Sequence, residues 1–187
     1  MFIQTEPTPN PATLKFIPGK TVLGDGTVDF RDKSEAATSP LAQRLFGVDG
    51  VAGVFLGSDF ISVTKREADE WQHIKPAILG AIMEHYMSGA PIIDDGGAAG
   101  EDLPGQYDAK DEDTVNTIKE LLHTRVRPAV ANDGGDIVFH GFKDGVVFLH
   151  MRGACSGCPS STATLKMGIE NLLKHYVPEV VEVQAAQ

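Results

Sequence analysis

The sequence predicts an α+β protein of two small α+β domains joined by an acidic flexible linker, and three observations predict it. The formal charge of −10 is not spread evenly: Asp94 to Asp113 carries eight acids against one Lys, which leaves −3 before it and no net charge after it. A Gly- and acid-rich stretch of this kind lacks the large apolar residues that would offset its ordering entropy, so it reads as a tether. On both sides of it, β-branched and aromatic runs bounded by turn residues alternate with apolar residues spaced three and four apart, the periods of strand and helix. The 187 residues, 42% of them hydrophobic, suffice for two small cores. The expected division is 1–90 as an N-terminal α+β domain, 91–113 as linker and 114–187 as a C-terminal domain in the order α-β-β-α-β.

In the N-terminal domain, apolar alternation in ATLKFI and VAGVFLGSDFISV predicts strands, with Ser58 and Asp59 at a hairpin turn. A short helix opens at the capping residue Ser39 with Pro40 behind it. A longer helix runs through Ile74, Ile78, Ile82 and Tyr86, with Pro76 in or near its first turn and Gly89 as its stop. This domain has no cysteine, and His73, His85 and Met87 read as packing or solvent-facing residues rather than metal ligands.

In the C-terminal domain, Val115, Ile118, Leu121, Leu122 and Val126 predict an amphipathic helix ending near Arg127, before Pro128. The cluster NDGGD, Asn132 to Asp136, reads as a turn. The runs IVFHGF and VVFLHM flank Lys143 to Gly145, where the Asp-Gly pair marks a hairpin. Leu165, Ile169, Leu172, Leu173 and Tyr176 predict a second helix that Pro178 closes, and VVEV adds a third strand.

The stretch MRGACSGCPSS holds the chain's two cysteines, Cys155 and Cys158, between the hairpin and the second helix. Pro159 suits the first helical position, since its missing N–H would have no partner there, and this puts Cys158 at or next to the N-cap. The free amides and positive dipole end of that helix start are expected to lower the thiol pKa values. Gly153 and Gly157 allow close backbone approach. Two such thiols suit a thioredoxin-like dithiol, a zinc site or an iron–sulfur cluster. The preceding antiparallel hairpin, in place of a βαβ unit, counts against the first. The metal readings each need four ligands, and His140, His150 and His175 read as satisfied or exposed histidines. A second copy of the chain supplies the missing half, because a two-fold interface presents the same loop twice.

Other classes are set aside on composition. MFIQTEPTPN has neither the basic and apolar regions of a secretory signal nor an Arg-rich amphipathic pattern, so an intracellular, cytoplasmic protein is expected. No run approaches the roughly 18 to 20 apolar residues of a membrane span, so no membrane role is expected. No basic patch remains once the charge is located, so no nucleic-acid partner is expected. No Ser-His-Asp set or carboxylate pair stands out, which argues against an enzyme.

The stretches RPAVANDGGDIVF and GACSGCPSSTATLKMGIENLL resemble the C-terminal domain of NifU found in Nfu-type iron–sulfur carriers. TEPTPNPATLKFIPG and GVAGVFLGSDFISVTK are similar to the N-terminal domain of the same family, in the same order. The resemblance implies assembly or relay of a 4Fe-4S cluster on Cys155 and Cys158 of paired subunits in a homodimer or higher homo-oligomer. It also implies upstream cluster donors, apo iron–sulfur client proteins as recipients, and a bacterial-type cytoplasmic carrier. The N-terminal domain would contact clients, with TPNPATLKF as the candidate surface. No U-type scaffold domain and no ferredoxin-like cysteine set accompanies these blocks, which favours late delivery over de novo assembly. The alternatives at this point are a thioredoxin-like dithiol oxidoreductase and a zinc-bridged dimer.

Overall fold

The computed structural model describes residues 1–95, 105–156 and 159–186. It is an α+β structure with two compact units, Met1–Glu101 and Asp102–Gln187.

The first unit is a five-stranded antiparallel sheet in the order β1-β2-β5-β4-β3, formed by β1 (Gln4–Pro7), β2 (Thr13–Ile17), β3 (Val28–Phe30), β4 (Val51–Leu56) and β5 (Ile61–Lys65). The hairpin expected at Ser58 and Asp59 joins β4 to β5, closed by the Gly57 N–H donating to the Phe60 carbonyl. Ser39 caps α1 (Pro40–Phe46) by accepting from the Ala42 N–H at 3.1 Å. The long helix α2 (Trp71–Ser88) buries Ile74, Ile78 and Ile82, packs them with Phe16, Leu41, Leu45 and Val63, and stops at Gly89 with φ of 70°. Pro76 is the sixth residue of α2 rather than a first-turn residue. The helix carries it without breaking, at the expense of one backbone hydrogen bond. The edge strands β1 and β3 have no counterpart in the apolar alternation of the sequence.

In the second unit β6 (Gly135–Lys143) and β7 (Val146–Gly153) form the expected hairpin around Asp144 and Gly145, both at positive φ. β8 (Glu182–Ala185) adds to β7 in parallel after α5 (Pro159–Tyr176), a right-sized crossover for that connection. One continuous core joins Val115, Ile118 and Leu122 to Ile137, Leu149, Ile169, Leu173 and Val183.

Two expectations are corrected here. The first helix does not end before Pro128: α3 (Glu112–Leu121) passes through a π turn at Leu122–Val126 into α4 (Arg127–Asn132). The Arg127 N–H donates to Leu122, five residues back. This wider turn relieves the clash of the proline ring with the preceding turn, so the helix runs on with Pro128 in its first positions. The second correction concerns the linker, whose described ends are folded. Ile92 and Ile93 pack on the first core, with the Ser39 hydroxyl donating to the Ile92 carbonyl at 2.6 Å. Gln106 pairs with the free edge of β6, its N–H donating to His140 and its carbonyl accepting from Phe142. Tyr107 lies against Phe139, and the Lys119 ammonium sits 5.5 and 5.2 Å from the two ring centres. These few apolar residues are enough to dock the flanks. The expected tether across 96–104 lies outside the described residues.

Candidate functional site

Cys155 lies in the turn between β7 and α5. The strand ends at Gly153, whose φ is 62° and whose partner across the hairpin is Gly135. The Ala154 N–H donates to the Gly134 carbonyl at 3.2 Å and the Ser156 N–H to the Gly153 carbonyl at 3.0 Å, so the turn is tied both to itself and to the end of α4. From the helix side the Thr162 hydroxyl donates to the Cys155 carbonyl at 3.2 Å. α5 begins at Pro159 as expected. Cys158, the second predicted ligand, and Gly157 lie outside the described residues.

The Cys155 side chain occupies a recess that depends on Gly135. A Cβ built at Gly135 would stand 2.6 Å from Cys155 Sγ, 2.8 Å from the Arg152 carbonyl oxygen and 3.0 Å from the Cys155 nitrogen. The two glycines of the DGGD turn therefore do different work. Gly134 turns the chain at φ of 78°, whereas Gly135 is bare so that sulfur can approach. The sequence reading took both as turn residues.

A second feature escaped the sequence reading. Asp136, buried at 3% exposure, receives two 2.9 Å bonds from the Arg127 guanidinium, Nε to Oδ1 and Nη2 to Oδ2, and Oδ1 also accepts from the Ile137 N–H. A two-pronged Arg–carboxylate pair of this kind fixes orientation as well as distance. It ties the start of α4 to the first residues of β6, directly beside the recess. The only signal for it in the sequence is an Arg and an Asp nine residues apart, on either side of a turn.

The expected lowering of the thiol pKa is overturned for Cys155. Only 7% of the residue is exposed, and burial pushes its thiol up to about 12, with the Asp133 and Asp136 carboxylates adding to the rise. The helix start does not compensate, because α5 opens four residues further on and its dipole acts within its own first turn. Free Cys155 is thus a protonated, packed thiol at neutral pH. Its conversion to thiolate calls for a charge that displaces the proton, as a bound metal does.

The other candidate residues do not join this site. His85 is fully buried near the end of α2, and neither of its ring nitrogens has a hydrogen-bond partner. Burial, then the Arg44 charge, lowers its pKa, opposed by the nearby backbone of Ala90 and Pro91, which favours the charged ring without making a bond of ordinary geometry. His73 is exposed and Met87 is 80% exposed. In the TPNPATLKF stretch, the Asn10 carboxamide accepts from the Ala12 N–H, the Thr8 hydroxyl donates to the Asn10 and Thr13 carbonyls, and the Trp71 indole donates to the Pro11 carbonyl. Residues 8–12 thus form a built loop rather than a loose connection, whereas Thr13 to Phe16 belong to β2, where Thr13, Lys15 and Phe16 are buried, so only the loop part of the expected surface is open. Among the described residues no helix is long and apolar enough to cross a membrane.

Two family models match the chain: "Scaffold protein Nfu/NifU N terminal" over residues 3–89 and "NifU-like domain" over residues 118–184. The chain is 52% identical over 185 residues to the NFU1 iron-sulfur cluster scaffold homolog, mitochondrial, of Drosophila sechellia, covering 98% of this chain and 64% of that protein. It is 52% identical over 187 residues to NifU-like protein 4, mitochondrial, of Arabidopsis thaliana, covering 98% of this chain and 65% of that protein. The chain thus spans somewhat under two thirds of the length of these curated relatives. A solution structure of a NifU-like protein from Saccharomyces cerevisiae, 28% identical, covers 50% of this chain and 84% of its own at a TM-score of 0.45. The names of the relatives point to a mitochondrial rather than a bacterial cytoplasmic setting and overturn the cytoplasmic expectation. That expectation rested on the composition of the first ten residues, which does not decide the compartment.

Proposed function

Given that this chain belongs to the Nfu/NifU family of iron–sulfur cluster scaffold proteins, we propose that it is a non-enzymatic carrier. In this reading Cys155 and Cys158 of two copies hold a 4Fe-4S cluster between them and pass it to apo iron–sulfur proteins. The observation that carries the proposal is the recess at Gly135, in which the NifU-like unit seats one thiol among two backbone segments and a buried ion pair. Two cysteines per chain make half of a four-thiolate set, so a cubane cluster requires a second chain. The cluster is cargo: iron brings the positive charge that turns the packed Cys155 thiol into a thiolate ligand, and its departure returns the thiol to the protonated state. The dithiol oxidoreductase reading is not favoured, because an attacking thiol works as its thiolate, and a thiol held up at about 12 has almost none at neutral pH.

The N-terminal unit supplies no thiol, and we assign it to client contact through residues 8–12, the loop part of TPNPATLKF, whose internal bonds and Trp71 anchor give a preformed surface. The deciding experiment is anaerobic reconstitution with ferrous iron and sulfide, followed by iron, sulfide and mass determination. The expected product holds about four irons per two chains, and Cys155→Ala and Cys158→Ala each lose it. A cluster on a single chain, a product holding zinc alone, or a cluster retained in either variant refutes the proposal.

A further inference from the structure

β6 contains an irregularity between Phe139 and Gly141, and His140 is the inserted residue with no partner in the β7 register. Bulges of this kind re-aim the side chain they carry. Along β7, Leu149 and Met151 point into the core, so His150 between them faces the other side of the sheet, where it stands opposite Val138. His140 is two residues beyond Val138, which makes it the diagonal neighbour of His150 on that face. The two rings accordingly meet, with centres 6.5 Å apart and planes inclined by 32°. His140 is exposed and His150 half-buried. Beside them Gly141 stands opposite Phe148, and a cavity of about 490 Å³ lined by both, with His140, leaves room for water.

We propose that His140 and His150 form a two-imidazole site for a borderline divalent cation of the Zn²⁺, Cu²⁺ or Ni²⁺ class, on the sheet face opposite the core that holds Cys155. An imidazole nitrogen binds such an ion at about 2.0–2.1 Å, which places each ring centre roughly 3.2 Å from the metal and two rings about 5.2 Å apart at a tetrahedral angle. The observed separation is about 1.3 Å wider, to be closed on binding by side-chain rotation of the exposed His140. Among the described residues no third His, Cys, Asp or Glu completes a cluster of three, so water fills the remaining positions. Imidazole pairs select copper, nickel and zinc over calcium and magnesium, and ferrous iron stands below them in affinity. The site therefore does not draw off the iron that the thiols take up.

The test is a Ni²⁺ titration of the full chain carrying Cys155→Ser and Cys158→Ser, which removes competing thiols, followed through the ring signals of its six histidines. The expected result is one ion per chain, with His140 and His150 responding together before His73, His123 and His175. His140→Gln and His150→Gln should each weaken binding at least tenfold, since losing one arm forfeits the effective concentration of the pair. A Ni²⁺ titration of the chain carrying Cys155→Ala and Cys158→Ala, read from the same ring signals, gives the answer if the double-serine chain does not fold. Wild-type affinity in either glutamine variant, or ring signals of His140 and His150 that respond no earlier than the others, overturns the proposal.

Discussion

Replacing Gly135 by Ala tests the recess with a single methyl group. The added carbon would lie 2.6 Å from sulfur and 2.8 and 3.0 Å from two backbone atoms, where ordinary contact is 3.4–4 Å. A flexible neighbour could yield, but the Arg152 carbonyl is paired within the hairpin and the Cys155 nitrogen is fixed by its turn, so the overlap of up to about 1 Å falls on the Cys155 side chain and on the backbone of the loop. Overpacking of this size destabilises by about 1–3 kcal/mol. For a unit of this length that lowers the melting temperature by roughly 5–20 °C. Calorimetry of the full chain reads the shift in the second unit, and iron content after reconstitution reads the displacement of the thiol. Gly168→Ala is the matched control. Its Cβ would meet nothing within 4 Å on α5, so that variant should gain about 0.5–1 kcal/mol from helix propensity and keep its iron. If Gly135→Ala melts and loads like the wild type, sulfur does not depend on that bare position and the account of the site is wrong.

Three further outcomes are expected. Asp136→Ala takes the two-pronged carboxylate away from the Arg127 guanidinium and should destabilise the second unit by about 3 kcal/mol, read by denaturant unfolding, whereas an effect near zero would mean the pair is ornamental. His85 holds its neutral form in the fold, so the unfolded chain takes up the proton first. Stability is complete above the unfolded pKa of about 6.5 and falls as pH drops below it, and His85→Leu should flatten that part of the melting curve between pH 7 and 5. Tyr107→Ala removes the ring that packs on Phe139 and Lys119 and should raise amide exchange at Gln106 and Phe142, while unchanged exchange would show that the strand pairing alone holds this segment.

The helices and the central strands were legible because their signals are local. Ile74, Ile78 and Ile82 share one face by spacing alone, and the Asp-Gly pair fixes the β6–β7 turn without help from the rest of the chain. The edge strands were not, since QTEP and VDF become strands only because β2 and β4 offer them hydrogen bonds. At the site, CxxC and DGGD were visible as motifs, but their relation was not. That Gly135 faces sulfur follows from the register that pairs it with Gly153, and that Arg127 reaches Asp136 follows from a helix that continues where proline was read as a stop. The pKa inference failed for a similar reason: nearness to a helix start was readable, and burial of Cys155 in the core was not.

The π turn at Leu122–Val126 makes the length of the first helix a working dimension of the molecule. Each residue of an α-helix advances the phase by about 100°. The π turn holds one residue more than a regular α turn, so deleting one residue there would restore regular winding and keep everything downstream in phase, whereas adding one would swing it by that angle and take Arg127 away from Asp136 although no residue in the ion pair had changed. A variant lengthened by one residue in this stretch should therefore behave as a site mutant, whereas one shortened by one residue should keep the Arg127–Asp136 pair.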